Sequence, residues 1–310
     1  MISVVISILN QFKIAGLAIE KLIENAVDRI ELILIDDGSD YLVSQWIGLK
    51  DFFYQLEDVK ILRNDYPTGS YYTMKKGNEL AEGDIVAFFH SDLLIWEKGW
   101  DRRIRNVFEE SEKVGLVGFI GSTEIDSWGG RGIGTISNFQ GRELEGYKGS
   151  VAEMHGGRIT DFRLGAIVDG CAMIFRKKYL DEIGFRDDFP PHHFYDRLLS
   201  CQVLERGYQV GILGIACDHI SGQVVNSEKK YHEMVGNWMK ERYGSPEEWI
   251  QRFSDWWAND LNPSKGKMPN NNDAWVYMEA ERQFLTEYRD QKHFIPLKVE
   301  PDGRIIHLSF

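Results

Sequence analysis

Acidic and histidine side chains follow apolar runs at several places in this sequence. The run ILIDDGS over residues 33–39 delivers two carboxylates, Asp36 and Asp37, into a glycine turn. Carboxylates at a strand end can accept hydrogen bonds from a nucleobase N–H or a ribose hydroxyl. Asp-Gly-Ser also occurs in ordinary turns, so this run by itself is also compatible with a strand end that binds no ligand.

The run IVAFFHSD over residues 85–92 ends in two potential metal ligands. Side chains two apart on a strand share a face, so His90 and Asp92 can approach one ion or one diphosphate. A turn that caps the following helix is the alternative explanation of the same residues. His219 follows another short apolar run and can complete a metal site whose other ligand is a carboxylate.

A further carboxylate, Asp196, follows the loop sequence PPHHFY. We expect it in the first turn of a helix over residues 194–206, where the helix dipole favours its ionised form. An ionised carboxylate at a cleft can act as general base on a hydroxyl, although simple helix capping explains the position as well. We interpret His192 and His193 as a polar loop pair rather than as metal ligands.

The elements that must position these residues alternate between strands and helices. We predict strands over residues 3–9, 30–35, 59–62, 85–89 and 115–119, and helices over 16–26 and 73–81. Such alternation is typical of an α/β fold with a mostly parallel sheet covered by helices on both faces. Ligands of open sheets of this kind bind at the carboxyl ends of the strands. Those ends carry Asn10, Asp36, Asp37, His90 and Asp92.

The second half of the chain is less regular. Residues 121–165 are rich in glycine and predict a long loop, either a lid or a plain surface excursion. Strands over 172–175 and 210–215 follow, on either side of the helix over 194–206. Beyond about residue 223, helix formers and tryptophans predict a helical extension. A hairpin around Pro301-Asp302-Gly303 ends the chain.

Composition excludes several classes of protein. The 310 residues include 36 Lys and Arg against 48 Asp and Glu, a net charge of −12 that opposes binding to nucleic-acid phosphates. The N-terminus shows no signal peptide, and no apolar stretch approaches the ~20 residues of a membrane span, so we expect a cytoplasmic protein. Cys171, Cys201 and Cys217 are odd in number and lie in apolar surroundings, which favours buried reduced thiols.

Taken together and in this order, the motifs resemble those of family 2 glycosyltransferases of the GT-A fold. The resemblance covers residues 1–222 and rests on VVISILN, IDDGSD, ELAEGDIVAFFHSD, DGCAMIFRKKYLDEIGF and FYDRLLSCQVLERGYQ. It implies a Rossmann-like sheet flanked by helices, with a nucleotide-binding half over 1–120 and an acceptor half over 121–222. Residues 223–310 would then form a C-terminal helical extension.

The resemblance also implies an activity and a donor site. The activity is metal-dependent, inverting transfer of a sugar from a nucleotide-sugar, with a UDP-sugar favoured, to a hydroxyl of a glycan or surface-polymer precursor. The implied donor-binding residues are Ile8 and Asn10 after the first strand, the acidic pair Asp36 and Asp37, Asn64 after the third strand, Lys75, and Ser91. Lys75 and Lys76 replace an Arg-Asn pair of the family, so surface charge is an alternative role for Lys75.

Asp92 matches the last acidic residue of the family's Asp-x-Asp metal motif, and His219 matches a histidine that often joins the metal shell. Asp196 matches the second residue of the acidic pair that supplies the catalytic base. In these two motifs the chain departs from the family twice, because His90 replaces the first Asp of the metal motif and Tyr195 replaces the Glu before the base. Imidazole suits Mn²⁺ better than Mg²⁺, so Mn²⁺ is favoured as the cofactor, with His90 as a third ligand.

One base suits a direct displacement with inversion, whereas a covalent route needs a second carboxylate that the sequence does not place. A non-catalytic carbohydrate- or nucleotide-binding module with a degenerate metal motif is the alternative from another class. A transferase acting on modified DNA bases is a further alternative, which the negative charge opposes. A nucleotidyltransferase is disfavoured because no Gly-x-Gly signature lies near the first strand. The oligomeric state stays open.

Overall fold

The computed structural model describes residues 1–42, 59–142, 144, 156–220, 228–292 and 294–309. Within them the strands are β1 (Ile2–Ile8), β2 (Ile30–Asp36), β3 (Val59–Arg63), β4 (Ile85–His90), β5 (Leu93–Ile95), β6 (Val114–Gly118), β7 (Ile120–Ser122), β8 (Glu124–Ile125), β9 (Thr135–Ser137), β10 (Phe162–Gly165), β11 (Ile167–Val168), β12 (Ala172–Arg176), β13 (Gln209–Leu213), β14 (Cys217–His219), β15 (Leu297–Val299) and β16 (Ile305–His307). The helices are α1 (Phe12–Asn25), α2 (Ser70–Leu80), α3 (Trp100–Glu110), α4 (Lys177–Ile183), α5 (Tyr195–Glu205), α6 (Lys229–Tyr243), α7 (Pro246–Arg252), α8 (Ser254–Ala258) and α9 (Asn272–Leu285), the last continued by a π-helical turn over Thr286–Gln291.

The central sheet has eight strands in the order β10-β13-β6-β12-β4-β1-β2-β3. Strand β1 runs parallel to both β2 and β4, β2 to β3, and β13 to β6. Strand β12 runs antiparallel between β4 and β6, and β10 is an antiparallel edge strand. The predicted α/β fold with a large, mostly parallel sheet and covering helices is therefore confirmed.

Alternate residues of the central strands pack on opposite faces of this sheet. Along β4, Ile85, Ala87 and Phe89 belong to the apolar core that contains α1 and α3. Val86 and Phe88 belong to the other core, which contains residues of α2, α4, α5 and α9. The period of two therefore places the end of β4 at position 90 on the face that α5 covers.

The prediction of a long loop over residues 121–165 is wrong in part, because β8, β9 and β10 lie within it. Strand β7 pairs with β9 and β11 in a second, three-stranded sheet. The glycines of this region permit close packing as well as turns. A Cβ at Gly121 would lie 2.2 Å from the carbonyl oxygen of Ile167 on the paired strand. Residues 143 and 145–155 of the predicted loop are outside the described residues.

The C-terminal extension is helical as predicted and ends in the predicted hairpin, since β15 pairs antiparallel with β16. Its predicted start at residue 223 lies outside the described residues. The extension packs on the sheet domain at several places. Strand β15 pairs with β8, and Trp249 and Trp275 share a buried cluster with Leu9, which follows β1.

Two predictions from composition can be compared with the structure. All three cysteines are free and buried, as expected. No helix among the described residues combines the length and the apolar character that a bilayer span requires.

Candidate active site

A cleft of about 390 Å³ opens at the carboxyl ends of the central strands. Its walls include five residues that the sequence analysis singled out: Asp37, His90, Ser91, Asp92 and His219. Helix α6 of the C-terminal extension contributes a further wall. The strand ends thus bring together all three predicted metal ligands and part of the predicted donor site.

The three predicted metal ligands form a compact cluster. Nδ1 of His90 lies 3.2 Å from Nε2 of His219, and that Nε2 lies 3.1 Å from Oδ1 of Asp92. One ligand atom from each residue lies within 4.8 Å of the other two. Antiparallel pairing of β5 with β14 sets His219 opposite Leu93, beside the end of β4. Two imidazoles and a carboxylate are a donor set that first-row divalent metal ions accept, so these residues fit such a cation.

Burial controls the charge of this cluster. Burial, with the nearby charge of His219, lowers the pKa of His90 to about 4, so its ring is neutral near pH 7. A neutral imidazole has a nitrogen lone pair that can bind a metal ion. Burial alone would raise the pKa of Asp92, but the charge and hydrogen bond of His219 outweigh it and the pKa is lowered. Asp92 therefore offers an anionic donor to a cation.

A second group of potential ligands, Asp169 and Cys171, shares His219 with the first. The guanidinium of Arg131 pairs with the Asp169 carboxylate, whose Oδ1 also accepts a 2.8 Å hydrogen bond from the backbone N–H of Cys171. Burial raises the pKa of the Cys171 thiol well above its ordinary value, which keeps it protonated. A protonated thiol is a poor metal ligand, so the first group fits a cation better.

Asp37 organises the loop that closes one side of the cleft. Its Oδ1 accepts hydrogen bonds from Nδ2 of Asn64 at 2.7 Å and from the backbone N–H and hydroxyl of Thr68 at 2.8 and 2.9 Å. Its Oδ2 accepts one from the backbone N–H of Gly69 at 2.9 Å. Asp37 therefore lines the cleft with a carboxylate that protein donors hold in place.

Asp36 plays a different part from its neighbour, because it is almost fully buried and is not among the described residues that line the cleft. One oxygen accepts a 2.9 Å hydrogen bond from the backbone N–H of Ser39, and the other pairs with Arg63. Of the acidic pair, Asp37 thus lines the cleft, and Asp36 forms a buried ion pair with Arg63.

Four more of the expected donor-binding residues are not among the described residues that line the cleft. Ile8 is buried in the core, and its carbonyl accepts a 2.9 Å hydrogen bond from the backbone N–H of Asp37. The side-chain amide of Asn10 donates at 2.8 Å to Glu228, immediately before α6. Lys75 forms a surface ion pair of 2.7 Å with Asp187. Asn64 reaches the site only through its hydrogen bond to Asp37.

Asp196 lies in the first turn of α5, as predicted. Its Oδ1 accepts hydrogen bonds from the backbone N–H of Arg197 at 2.9 Å and from Nη1 of the same residue at 3.1 Å. Its Oδ2 lies 4.0 Å from Nη2 of Arg131. Its neighbour Tyr195, and not Asp196, is among the described residues that line the cleft.

Several cleft residues were not predicted from the sequence. His192 and His193 line the cleft, although neither belongs to a metal-ligand group among the described residues. Tyr231 and Met234 reach the cleft from α6, where the sequence resembles an ordinary amphipathic helix. Arg131 is not among the described residues that line the cleft, but it contacts Asp169 and Asp196, and nothing in the local sequence distinguishes it from a surface arginine.

Comparison with sequence families gives one match over more than half of the chain. The family described as Glycosyl transferase family 2 matches residues 3–184. A glucosyl-dolichyl phosphate glucuronosyltransferase from Haloferax volcanii is 26% identical over 110 residues, which are 36% of this chain and 33% of that protein. The match thus spans about a third of the length of this relative.

Two solved structures are similar to this chain along most of its length. The mannosyltransferase PcManGT from Pyrobaculum calidifontis, in complex with GDP-Man and Mn²⁺, is similar over 92% of this chain and 71% of its own, with a TM-score of 0.50 and 12% identity. TarS from S. aureus, residues 1–349, is similar over 98% of this chain and 95% of its own, with a TM-score of 0.48 and 14% identity. At 12% identity, the likeness to the mannosyltransferase shows the GT-A fold alone.

Proposed function

We propose that this chain, which belongs to glycosyl transferase family 2, transfers a sugar from a nucleotide-sugar to a hydroxyl acceptor with the help of a divalent cation. Membership of the family makes the protein an enzyme of glycosyl transfer. The finer proposal is carried by one observation. His90, Asp92 and His219 converge in the cleft at the strand ends, beside Ser91 and Asp37.

His90, Asp92 and His219 are the residues that would hold the cation. Mn²⁺ is favoured over Mg²⁺, because two of the three donors are imidazole nitrogens. When bound, such a cation supplies positive charge that stabilises a diphosphate leaving group. The Mn²⁺ bound with GDP-Man in the mannosyltransferase agrees with this choice.

The loop over residues 64–69 and the end of β2 form the donor side of the proposed site. Asp37 holds this loop through four hydrogen bonds, from Asn64, Thr68 and Gly69. We infer that the nucleotide lies against this rigid edge and that its diphosphate reaches Ser91 and the metal ligands. A UDP-sugar is our choice of donor on the sequence motifs, and GDP-sugars are the competing class.

Asp196 is the proposed general base, which accepts the proton of the acceptor hydroxyl. Two guanidinium groups lie within 4.0 Å of its carboxylate, and the start of α5 fixes its backbone. The neighbouring cleft residue Tyr195 is a poor candidate, because burial and the nearby charge of Asp196 raise the pKa of its phenol above the ordinary value. A single carboxylate in this role supports inversion at the anomeric carbon.

A donor screen tests the proposed function. Purified protein is incubated with UDP-, GDP-, CMP- and dTDP-sugars and Mn²⁺, with and without a panel of glycan acceptors, and the products are identified by mass spectrometry. We expect one nucleotide-sugar to be consumed by hydrolysis or transfer, and Asp92→Asn to abolish the consumption. Failure to bind or consume any nucleotide-sugar with either Mn²⁺ or Mg²⁺ would contradict the proposal.

A further inference from the structure

His90 has a hydrogen-bond partner on the side of its ring that faces away from the metal-ligand cluster. Nε2 of His90 lies 2.9 Å from the hydroxyl oxygen of Tyr195, while Nδ1 faces Nε2 of His219 at 3.2 Å. We propose that Tyr195 is a positioning residue, which fixes the His90 ring so that Nδ1 serves as the metal ligand. The inference rests on the proposed function, because it requires that the cleft binds a divalent cation.

The hydrogen bond matches what a metal-bound imidazole needs. A histidine that binds a metal through one nitrogen carries a proton on the other, and an acceptor for that N–H fixes the tautomer and the ring orientation. For His90 the metal-facing nitrogen is Nδ1, so the protonated nitrogen is Nε2. The Tyr195 hydroxyl is the acceptor that the described structure offers to this nitrogen.

Close packing holds the phenol in its place. Tyr195 is only 4% exposed and is the first residue of α5. A Cβ at Gly170 would lie 2.5 Å from the Tyr195 hydroxyl oxygen and 2.9 Å from Cζ, so the ring packs directly on this glycine. The two residues before Tyr195, His193 and Phe194, have positive φ angles of 64° and 54°. This sparsely populated backbone leads directly into Tyr195 at the start of α5, which lines the cleft.

The two positions at which this chain departs from the metal and base motifs of the family, 90 and 195, are therefore in contact with each other. Position 90 has an imidazole where the resemblance leads to an aspartate, and position 195 has a phenol where it leads to a glutamate. An aspartate at position 90 would have no ring N–H that needs a hydrogen-bond acceptor. The hydroxyl of Tyr195 supplies that acceptor without adding a negative charge beside Asp92.

Direct metal binding tests this proposal without any substrate. Mn²⁺ affinity is measured by electron paramagnetic resonance, and Co²⁺ binding by visible absorption, for the wild type, Tyr195→Phe and Tyr277→Phe. The control Tyr277 is an aromatic neighbour of the same loop, whose ring contacts His193 and Phe194. We expect Tyr195→Phe to weaken Mn²⁺ binding by about 10–100-fold and to alter the Co²⁺ spectrum, with no change in Tyr277→Phe.

A second set of variants, built on His90→Asp protein, distinguishes a positioning role of Tyr195 from general damage to the cleft. In His90→Asp protein, the substitution Tyr195→Phe should leave Mn²⁺ affinity nearly unchanged, because its hydrogen-bond partner is gone. Equal Mn²⁺ affinity of wild type and Tyr195→Phe, or an equal loss in both backgrounds, would overturn the proposal. If the wild type binds neither metal, the metal dependence of the proposed function fails as well, so the two failures can be told apart.

Discussion

Nε2 of His193 lies 2.7 Å from Oδ1 of Asp273, which joins the cleft loop to the first turn of α9. The same oxygen accepts a 2.6 Å hydrogen bond from the hydroxyl of Tyr231 on α6. Both imidazole and phenol therefore donate to one carboxylate of the C-terminal extension. The extension is thus part of the wall of the cleft, and Asp273 connects two of its helices, α6 and α9, to the cleft loop.

The first prediction concerns the stability that this carboxylate provides. Asp273→Asn removes the negative charge that His193 and Tyr231 share, and should lower the free energy of unfolding by about 1.5–3 kcal/mol, the range for hydrogen bonds to charged groups. Urea unfolding measures the difference. Asp302→Asn, at an exposed residue of the terminal hairpin, is the control and should change stability by less than about 0.5 kcal/mol. Equal stability of the two variants would contradict the connecting role.

The second prediction is the pH dependence of the same contribution. Burial alone would raise the pKa of Asp273, but the hydrogen bond and charge of His193 outweigh it and lower the pKa to about 2. Because the pKa of Asp273 is lower in the folded protein than its value of about 3.9 in the unfolded chain, the ionised carboxylate stabilises the fold. This stabilisation is fully present above about pH 3.9 and is lost as the pH falls towards 2. The stability difference between wild type and Asp273→Asn should therefore shrink by on the order of 2 kcal/mol between pH 5 and pH 2. A difference that stays constant over this range would rule out the shift.

The central sheet and the strand-end positions of His90 and Asp92 could be predicted from the sequence because their signals are local. β-branched runs mark the central strands, and the period of two places His90 and Asp92 at a strand end. The likeness to a family places His219, which is far away in sequence. These residues meet because parallel strands deliver their carboxyl ends to one edge of the sheet.

The remaining contacts of the site could not be predicted because they depend on how distant elements pack. Tyr195 reaches His90 only because α5 covers that face of β4 and Gly170 leaves room for the phenol. Asp36 and Asp37 are adjacent in sequence, yet alternation along the strand sends one into an ion pair with Arg63 and the other into the cleft. No local pattern distinguishes these outcomes.

A third prediction addresses the donor loop. Asp37→Ala removes the acceptor of four hydrogen bonds that hold residues 64–69, so UDP affinity measured by calorimetry should fall by about 10–100-fold. Asp36→Ala is the matched comparison, because its carboxylate is buried against Arg63 and should affect melting temperature more than UDP affinity. Unchanged UDP affinity in both variants would remove the acidic pair from the donor site.

The fourth prediction concerns the cation. EDTA treatment should abolish turnover and added Mn²⁺ should restore it, more effectively than Mg²⁺. Asp92→Asn removes the one charged ligand and should lower turnover by roughly 10²-fold or more, since a bound cation contributes several kcal/mol to the transition state. The control is Asp161→Asn, at an exposed carboxylate. Full activity after EDTA treatment would exclude the metal, and a mild effect of Asp92→Asn beside a severe one of His90→Ala would move the main ligand to His90.

The last prediction separates a catalytic from a structural Asp196. General-base catalysis typically contributes ~10²–10⁴-fold, so Asp196→Asn should lower turnover by that factor and leave donor affinity nearly intact, because the base acts on the acceptor. If Asp196 only stabilises the first turn of α5, the same change should cost about 1 kcal/mol of stability and little turnover per folded molecule. Glu205→Gln at the opposite end of α5 is the control for the helix.

Three measurements on one Asp196→Asn preparation distinguish these outcomes: melting temperature, donor affinity and turnover. Because Arg131 lies between Asp169 and Asp196, loss of the Asp196 charge also leaves this guanidinium with one carboxylate fewer. Arg131→Lys should therefore alter turnover if the position of either carboxylate matters to the reaction. Near-normal turnover of Asp196→Asn with lowered stability would remove Asp196 from the mechanism, and Asp169, which shares Arg131, would be the next carboxylate to test.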